Sequence, residues 1–320
     1  MAGVLVAGVD LGGTKIQVVA VNGTAVKGGS RTATPTSSAE DVVHEIVGSV
    51  RLAVQQAGGR LSQLEKVGIG TPGEIDARRG VVSHSGNVVG MVDPFPLGPA
   101  VSKELDGVPV VIDNDVRVAI LGEYERGAGR PYRNVLGVFV GTGVGGGLVL
   151  EGKLREGRGA AGEIGHTVVK PGGRQCSCGR RGCLEAYAGR GRIEATARRL
   201  AAKKKIKTEL FEIMVERGRD RLTSGVIAAA LERKDKLAER LIDDAVKALG
   251  IAVANAQNLL DLEAVIIGGG LGDRLGKPFV DRIAEAAKPH IFIADRPPAI
   301  IPTELGDLAG AVGAAILAGG

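Results

Sequence analysis

The sequence predicts an α/β protein built from two related units with a cleft between them. Three observations point there. The chain has 320 residues, too many for one ordinary core and suited to two units of roughly 150. Short apolar runs that end in glycine turns alternate with segments of helical periodicity. A strand pair around a glycine turn occurs twice, near the start and near the middle, each opening an α/β segment. Hydrophobic residues make up 44%, aromatics only 2%, and Trp is absent. The cores must therefore be aliphatic, and stacking on single-stranded nucleic acid is disfavoured.

The elements read in order as follows. Val4–Val9 is an apolar strand ending at Asp10 and a Gly-Gly turn, and Ile16–Val21 answers it as a hairpin. A third strand falls near Ala25–Thr34. Ala39–Ala57 is a helix whose Val42, Val43, Ile46, Val50 and Val54 share a face, with Ser38 as N-cap and Gly58-Gly59 as stop. Val67–Gly70 and Val108–Ile112 are buried strands. The second round opens with Asn134–Val140 and Gly145–Leu150. An irregular Gly- and Cys-rich stretch follows, then helices from about Glu185 to Gly250. Asp243–Leu260 is a buried helix. Val265–Ile267 is a strand ending in Gly268-Gly269-Gly270, and a last helix runs from about Leu308 to Leu317.

The net charge is +5, which weakly favours anionic substrates. Arg198, Arg199, Lys203, Lys204, Lys205 and Lys207 read as a solvated helix face rather than a nucleic-acid patch. Apolar runs are too short to span a bilayer, and no leader pattern opens the chain. A soluble cytoplasmic protein without membrane or nucleic-acid partners is the expectation.

Five motifs carry chemistry. Asp10-Leu11-Gly12-Gly13-Thr14-Lys15 lets backbone N–H groups approach a phosphate, with Thr14 adding a hydroxyl and Asp10 a carboxylate for Mg²⁺. Alone it reads more readily as an ordinary hairpin turn, and no helix follows to make it a P-loop. Gly141-Thr142-Gly143-Val144-Gly145-Gly146-Gly147 repeats the pattern, and two such turns in comparable places make a phosphate grip from each unit the better reading. Gly268, Gly269 and Gly270 either admit a flat adenine or ribose or make a tight strand-to-helix connection. Asp113-Asn114-Asp115 ends a strand and starts a helix. Asp115 can act as general base there, Asn114 can both donate and accept, and the plain alternative is an N-cap cluster. Finally, His166, Cys176, Cys178 and Cys183 supply three thiolates and an imidazole, a donor set for structural Zn²⁺. The odd, clustered cysteines make a poor disulfide framework and suit a reducing compartment. Glu163 and Glu185 flank this segment and would accept hydrogen bonds from vicinal hydroxyls.

On Asp10–Lys15, Gly70-Thr71-Pro72-Gly73, Asn87, Asp113–Asp115, Gly141–Gly147, Gly162-Glu163-Ile164-Gly165-His166, Cys176–Glu185 and Gly268–Gly270, the chain resembles the ROK family of sugar kinases and repressors, in particular its bacterial glucokinases. The resemblance covers nearly the whole chain. It implies an actin-like, ribonuclease H-like two-lobed ATPase fold with ATP-Mg²⁺ between the lobes and phosphoryl transfer to a sugar hydroxyl, commonly the 6-hydroxyl of glucose. By position Asp115 matches the base. Gly73, Asn87, Asn114, Glu163, His166 and Glu185 match the sugar-binding segments. Asp10, Gly12, Gly13, Thr14, Lys15, Gly141, Thr142, Gly143, Val144, Gly145, Gly146, Gly268, Gly269 and Gly270 match those for the nucleotide. His166, Cys176, Cys178 and Cys183 match the zinc ligands. The lobes implied are 1–114 with about 307–320, and 115–306 with the zinc loop. Asp113 stands where Glu is commoner, a position not expected to do chemistry. N-acetylglucosamine, N-acetylmannosamine and broader hexose kinases share the constellation. Repressor members carry an added helix-turn-helix, for which the first strand's early start leaves no room. A homodimer or homotetramer is the implied assembly.

Overall fold

The computed structural model describes residues 4–204 and 206–319, and its contacts divide the chain into two compact units. Residues 1–3, Lys205 of the basic stretch and Gly320 lie outside the described residues. The first unit holds the chain up to Arg130, the short segment Glu156–Gly159, and everything from Asp307 on. The second holds Pro131–Arg155 and Ala160–Gly306.

In the first unit β1 (Leu5–Leu11), β2 (Lys15–Asn22) and β3 (Ala25–Ala33) form an antiparallel meander. Nearly every residue of β1 and β2 is buried, as strands covered on both faces require. Helix α1 (Ala39–Gln56) starts where expected: the Asp41 N–H donates to Ser38 Oγ at 3.0 Å, and Glu40 and Asp41 face the positive end of the helix dipole. Its valine and isoleucine stripe is buried, and Gly58 ends it at φ +73. Strand β4 (Leu64–Thr71) follows, then a small hairpin of β5 (Glu74–Asp76) and β6 (Val81–Ser83) too short to show a period in the sequence. Helix α2 (Leu97–Glu104), β7 (Val110–Asn114) and α3 (Asp115–Arg126) complete this stretch. The sheet order is β3-β2-β1-β4-β7, with β1, β4 and β7 parallel.

The second unit repeats this plan. Strands β8 (Val135–Val140), β9 (Val144–Leu150) and β10 (Lys153–Leu154) form a meander. Helices α4 (Glu185–Ala188), α5 (Arg190–Lys204), α6 (Leu210–Glu216), α7 (Ser224–Glu232) and α8 (Lys236–Leu260) follow. Then come β11 (Ala264–Gly268), α9 (Gly269–Ala287) and β12 (Ala299–Pro302). The sheet order β10-β9-β8-β11-β12 has β8, β11 and β12 parallel, the first sheet's topology over again. Helix α8 begins seven residues earlier than its apolar run, because Asp235 caps it by accepting from the Ala238 N–H at 2.8 Å. Helix α9 breaks at Gly276, φ +61, just before Pro278. Strand β12 sits after Pro297-Pro298, where the sequence offers only a loop signal.

The C-terminal helix Ala309–Leu317 packs on β1, β4 and α3 of the first unit. Six of its nine residues are alanine or glycine, because backbone must lie on backbone. A methyl group at Gly8 would stand 2.0 Å from the Ala311 carbonyl oxygen, and one at Gly68 1.8 Å from that of Ala314. Gly313 meets α3 in the same way, with the Val118 carbonyl oxygen 1.6 Å from where a Cβ would be. This packing keeps α3 with the first unit, so the contacts divide after Arg130 and not after residue 114. Both cores are aliphatic, one formed within each unit. We expect Gly313→Ala to lower unfolding stability by about 3 kcal/mol or more, since the clash is with backbone and cannot be relieved by a rotamer. Urea unfolding at neutral pH reads this directly, and an unchanged midpoint would contradict the packing described.

Candidate active site

The carboxyl ends of β1, β4 and β7 lie side by side, an edge of parallel sheets where ligands are commonly bound. Register aligns Asp10 with Gly70, and Gly70 with Asp113. The turn after β1 is closed internally: the Gly12 N–H donates to the Lys15 carbonyl at 2.9 Å, and Thr34 Oγ1 donates to the Gly12 carbonyl at 2.6 Å. Thr14 at its tip is exposed. Gly13 lies against Asn87, whose carbonyl oxygen would be 2.4 Å from an added Cβ. Two residues far apart in sequence thus meet. Gly73, at φ +121, packs on Ser83 and Ser85 beside the same loop.

Asp10 is half-buried, with its carboxyl wedged against Gly310. Burial pushes this carboxyl up from 3.8 to about 6; Lys15 draws it back, and Asp115 and Asp307 add to the rise. Lys15 Nζ is itself paired with Asp307 at 3.2 Å, and Asp307 also accepts from Arg31 at 3.3 Å. A half-buried, partly desolvated acid with two acidic neighbours is short of positive charge, so the surroundings of Asp10 fit a divalent cation.

Asp115 is the first residue of α3, and its Oδ1 accepts the Val116 N–H at 3.0 Å. A helix N-terminus favours the ionised carboxylate there. Asn114 caps the helix, its Oδ1 accepting from the N–H groups of Val116 and Arg117 at 3.0 and 3.3 Å. The capping alternative therefore holds for Asn114, and only its amide NH₂ is left out of the cap. Asp113 is buried and paired with Arg117.

In the second unit the four sequence-predicted metal ligands converge. One donor atom from each of His166, Cys176, Cys178 and Cys183 lies within 4.8 Å of the others. Cys178 and Cys183 Sγ are 3.7 Å apart, and Cys176 Sγ is 3.8 Å from His166 Nδ1. Thiolates tetrahedral about zinc at about 2.3 Å stand about 3.8 Å from each other, so the spacing fits that ion and excludes a disulfide. Arg180 donates to Cys178 and draws its thiol down to about 6, whereas burial pushes Cys183 up to about 12.

Glycines bring this loop onto β9. An added Cβ would stand 1.9 Å from the Val144 carbonyl oxygen at Gly165, and 2.4 Å from the Gly162 carbonyl oxygen at Gly146. Between Gly162 and Gly165 sits Glu163, exposed, with His166 half-buried just beyond. Glu185 is less open than expected. Its Oε2 accepts the Val144 N–H at 3.1 Å, and its Oε1 accepts from Ser177 Oγ. It ties the cysteine loop to the Gly141–Val144 turn. A carboxylate keeps further lone pairs for a ligand.

That turn is clasped by the start of α5. The Arg190 and Gly191 N–H groups donate to the carbonyls of Gly141 and Thr142, each at 3.0 Å. Arg190 Nη2 donates to Thr142 Oγ1 at 2.9 Å and its Nη1 to Ser224 Oγ at 3.3 Å. The Gly141 N–H closes the turn onto the Gly143 carbonyl at 2.9 Å, and Gly145 continues into β9. Beside it lies a cavity of about 330 Å³ whose lining includes Thr142, Arg190, Glu194, Arg198 and Arg221. Three cations against one carboxylate suit a polyanion. Gly268 ends β11, Gly269 opens α9 at φ +78 against Phe139 and Val140, and Gly270 faces Ser224. Here the tight strand-to-helix connection accounts for the glycines. Asp307, Arg190 and Gly310 were not legible in the sequence, since no period or spacing links them to the glycine turns.

The elevated Asp10 carboxyl sets a pH dependence. Its stabilising contribution is complete below about 3.8 and is lost as pH rises through about 6. Without divalent cations, Asp10→Asn should therefore gain stability relative to wild type between pH 4 and 7. Guanidinium unfolding of both proteins across that range measures it, and a constant difference would contradict the assignment.

Comparison with known proteins accounts for the two sets of residues together. The ROK family model matches residues 6–320. A glucokinase of Halalkalibacterium halodurans is 35% identical over 317 residues, covering 96% of this chain and 92% of its own. An N-acetylmannosamine kinase of Vibrio cholerae is 30% identical over 287 residues, covering 89% of this chain and 90% of its own. The solved structure of a ROK family glucokinase from Streptomyces griseus in complex with glucose and AMPPNP matches at a TM-score of 0.80 and 33% identity, covering 98% of this chain and 99% of that one. Because the likeness runs through both sheets, both glycine turns and the cysteine loop, this chain belongs to the ROK family and has its actin-like α/β ATPase fold.

Proposed function

We propose that this protein transfers the γ-phosphoryl group of ATP to a hexose hydroxyl, with glucose as substrate and glucose 6-phosphate as product. The observation that carries this reading is the likeness to glucokinases along nearly the entire chain at 33–35% identity. Asp115 takes the proton of the sugar hydroxyl as its oxygen attacks the γ-phosphorus and ADP leaves in line. Asp115 stands at the start of α3, directly after the end of β7. Asn87, the Asn114 amide, Glu163, His166 and Glu185 bind sugar hydroxyls, and Gly73 shapes the loop beside them. Gly13, Thr14 and Lys15 hold phosphate from one glycine turn, and Thr142, Gly143 and Gly146 from the other. Arg190 orients the Thr142 hydroxyl. The nucleoside lies by the turn Gly268-Gly269-Gly270, where only Gly270 has open space beside it, since Gly268 and Gly269 are packed against Thr303, Phe139 and Val140. Asp10 would hold Mg²⁺, which supplies positive charge for the phosphoryl oxygens.

His166, Cys176, Cys178 and Cys183 would hold a structural Zn²⁺, which braces the loop that carries Glu185's partner Ser177. Three reduced thiols suit the cytoplasm. No helix among the described residues is long and apolar enough to cross a membrane. A homodimer or homotetramer belongs to the same reading. Relatives that are N-acetylmannosamine kinases, at 30–31% identity, favour a second reading in which an acetamido-hexose is the substrate.

Two experiments test the proposal. Asp115→Asn should lower kcat by about 10²–10⁴ while leaving sugar KM within a few-fold. Coupled ADP release measures both, run over glucose, mannose, fructose, N-acetylglucosamine and N-acetylmannosamine. Near-wild-type turnover would remove Asp115 as base, and a preference for N-acetylmannosamine would establish the second reading. Elemental analysis should find about one zinc per chain, lost in Cys178→Ser; a metal-free wild-type protein would end the zinc assignment.

A further inference from the structure

Asp113 and Arg117 form a buried ion pair one helical turn apart at the mouth of α3, with side-chain exposures of only 7% and 8%. Such a pair is weak grounds for stability, since the cost of desolvating both charges offsets much of their attraction. Its geometry points to another role. Asp113 Oδ1 accepts from Arg117 Nε at 2.8 Å, from Arg117 Nη2, and from the backbone N–H of Asn114 at 2.7 Å. One carboxylate oxygen thereby pins the Asp113–Asn114 peptide, one residue before Asp115. The remaining arm of the guanidinium, Nη1, donates to the carbonyl of Gly159 at 3.0 Å. Gly159 closes the exposed segment Glu156–Gly159, in which Gly157 and Gly159 both have left-handed φ values, +60 and +101. That segment returns to the first unit from a stretch of chain that otherwise belongs to the second.

We propose that Arg117 is a positioning residue for phosphoryl transfer: its ion pair with Asp113 holds the turn that presents Asp115, and its free arm latches the 156–159 segment onto that turn. The inference rests on the hexose kinase reading. A planar fork is needed because three donors in fixed directions serve two acceptors. A lysine supplies charge to Asp113 but cannot reach Gly159 in the same pose. A methionine fills the space and serves neither acceptor.

The test compares full-length wild type with Arg117→Lys, Arg117→Met and Asp113→Asn/Arg117→Met. Glucose-dependent ADP release, thermal melting and amide hydrogen exchange are measured on each. Arg117→Met should lose about ten-fold or more in kcat, as small misplacements of a catalytic group do, with glucose KM within three-fold. Amide exchange should rise at Asn114–Val116 and at 156–159. The double variant leaves no buried unpaired charge, so its melting temperature should return while kcat stays low. Arg117→Lys should melt near wild type with only part of kcat recovered. Recovery of kcat in step with melting temperature in the double variant would overturn the proposal, as would full kcat in Arg117→Met. If wild type phosphorylated no sugar, the kinase reading would fail. The latch would then be judged by amide exchange alone, and unchanged protection at 156–159 in Arg117→Met would refute it.

Discussion

Backbone-on-backbone packing of the C-terminal helix is the constraint on which the first unit depends. Gly8 on β1, Gly68 on β4, and Gly122 and Gly313 where two helices meet remove side chains along the whole contact. Dispersion contacts accumulate there at the shortest possible range. The consequence reaches the site. The same helix places Gly310 on the Asp10 carboxyl, and the turn before it delivers Asp307 to Lys15. The electrostatics of the β1 turn are thus written by residues some 300 positions away in sequence.

In the second unit the corresponding organiser is Glu185. One oxygen holds the Val144 amide at the glycine turn, and the other holds Ser177 between two of the cysteines. A Cβ at Gly143 would stand 2.4 Å from Oε2, so the turn's glycine is required by this carboxylate as well as by any phosphate. The cysteine loop and the Gly141–Val144 turn are consequently one mechanical piece. A metal ion bound by the loop would stiffen the turn without touching the donor.

The two sets of residues differ in what holds them. Those on the first sheet's edge are placed by strand register, which is rigid, and tuned by charge: a half-buried acid, a lysine shared with Asp307, and a helix N-terminus under Asp115. Those around the cysteines are placed by left-handed glycines at 162, 172, 179 and 182 and by local turns. Cys176, Cys183 and Leu184 anchor that loop in the unit's core, and most of its remainder is exposed.

Much of the fold was legible because strands and helices announce themselves by local period. The alternation of short apolar runs with glycine turns, the Val42–Val54 stripe of α1, and the Ser38 cap were all readable within windows of a few turns. The cysteine cluster was readable for the same reason, since its ligands are close in sequence and rare in composition. The short hairpin Glu74–Ser83 and strand Ala299–Pro302 were hidden, being too short for a period or masked by proline. By itself, then, the sequence determined the two repeated α/β units, their glycine turns, the Asp113–Asp115 strand end and the clustered His166, Cys176, Cys178 and Cys183. Tertiary structure alone decided that Asp307 pairs with Lys15, that Arg190 clasps Thr142, that Glu185 spans two loops, and that Arg117 joins Asp113 to Gly159. Except for Arg117 with Asp113 and Glu185 with Ser177, these partners lie tens to hundreds of residues apart, where no local period or spacing connects them, and only packing brings their polar groups within reach.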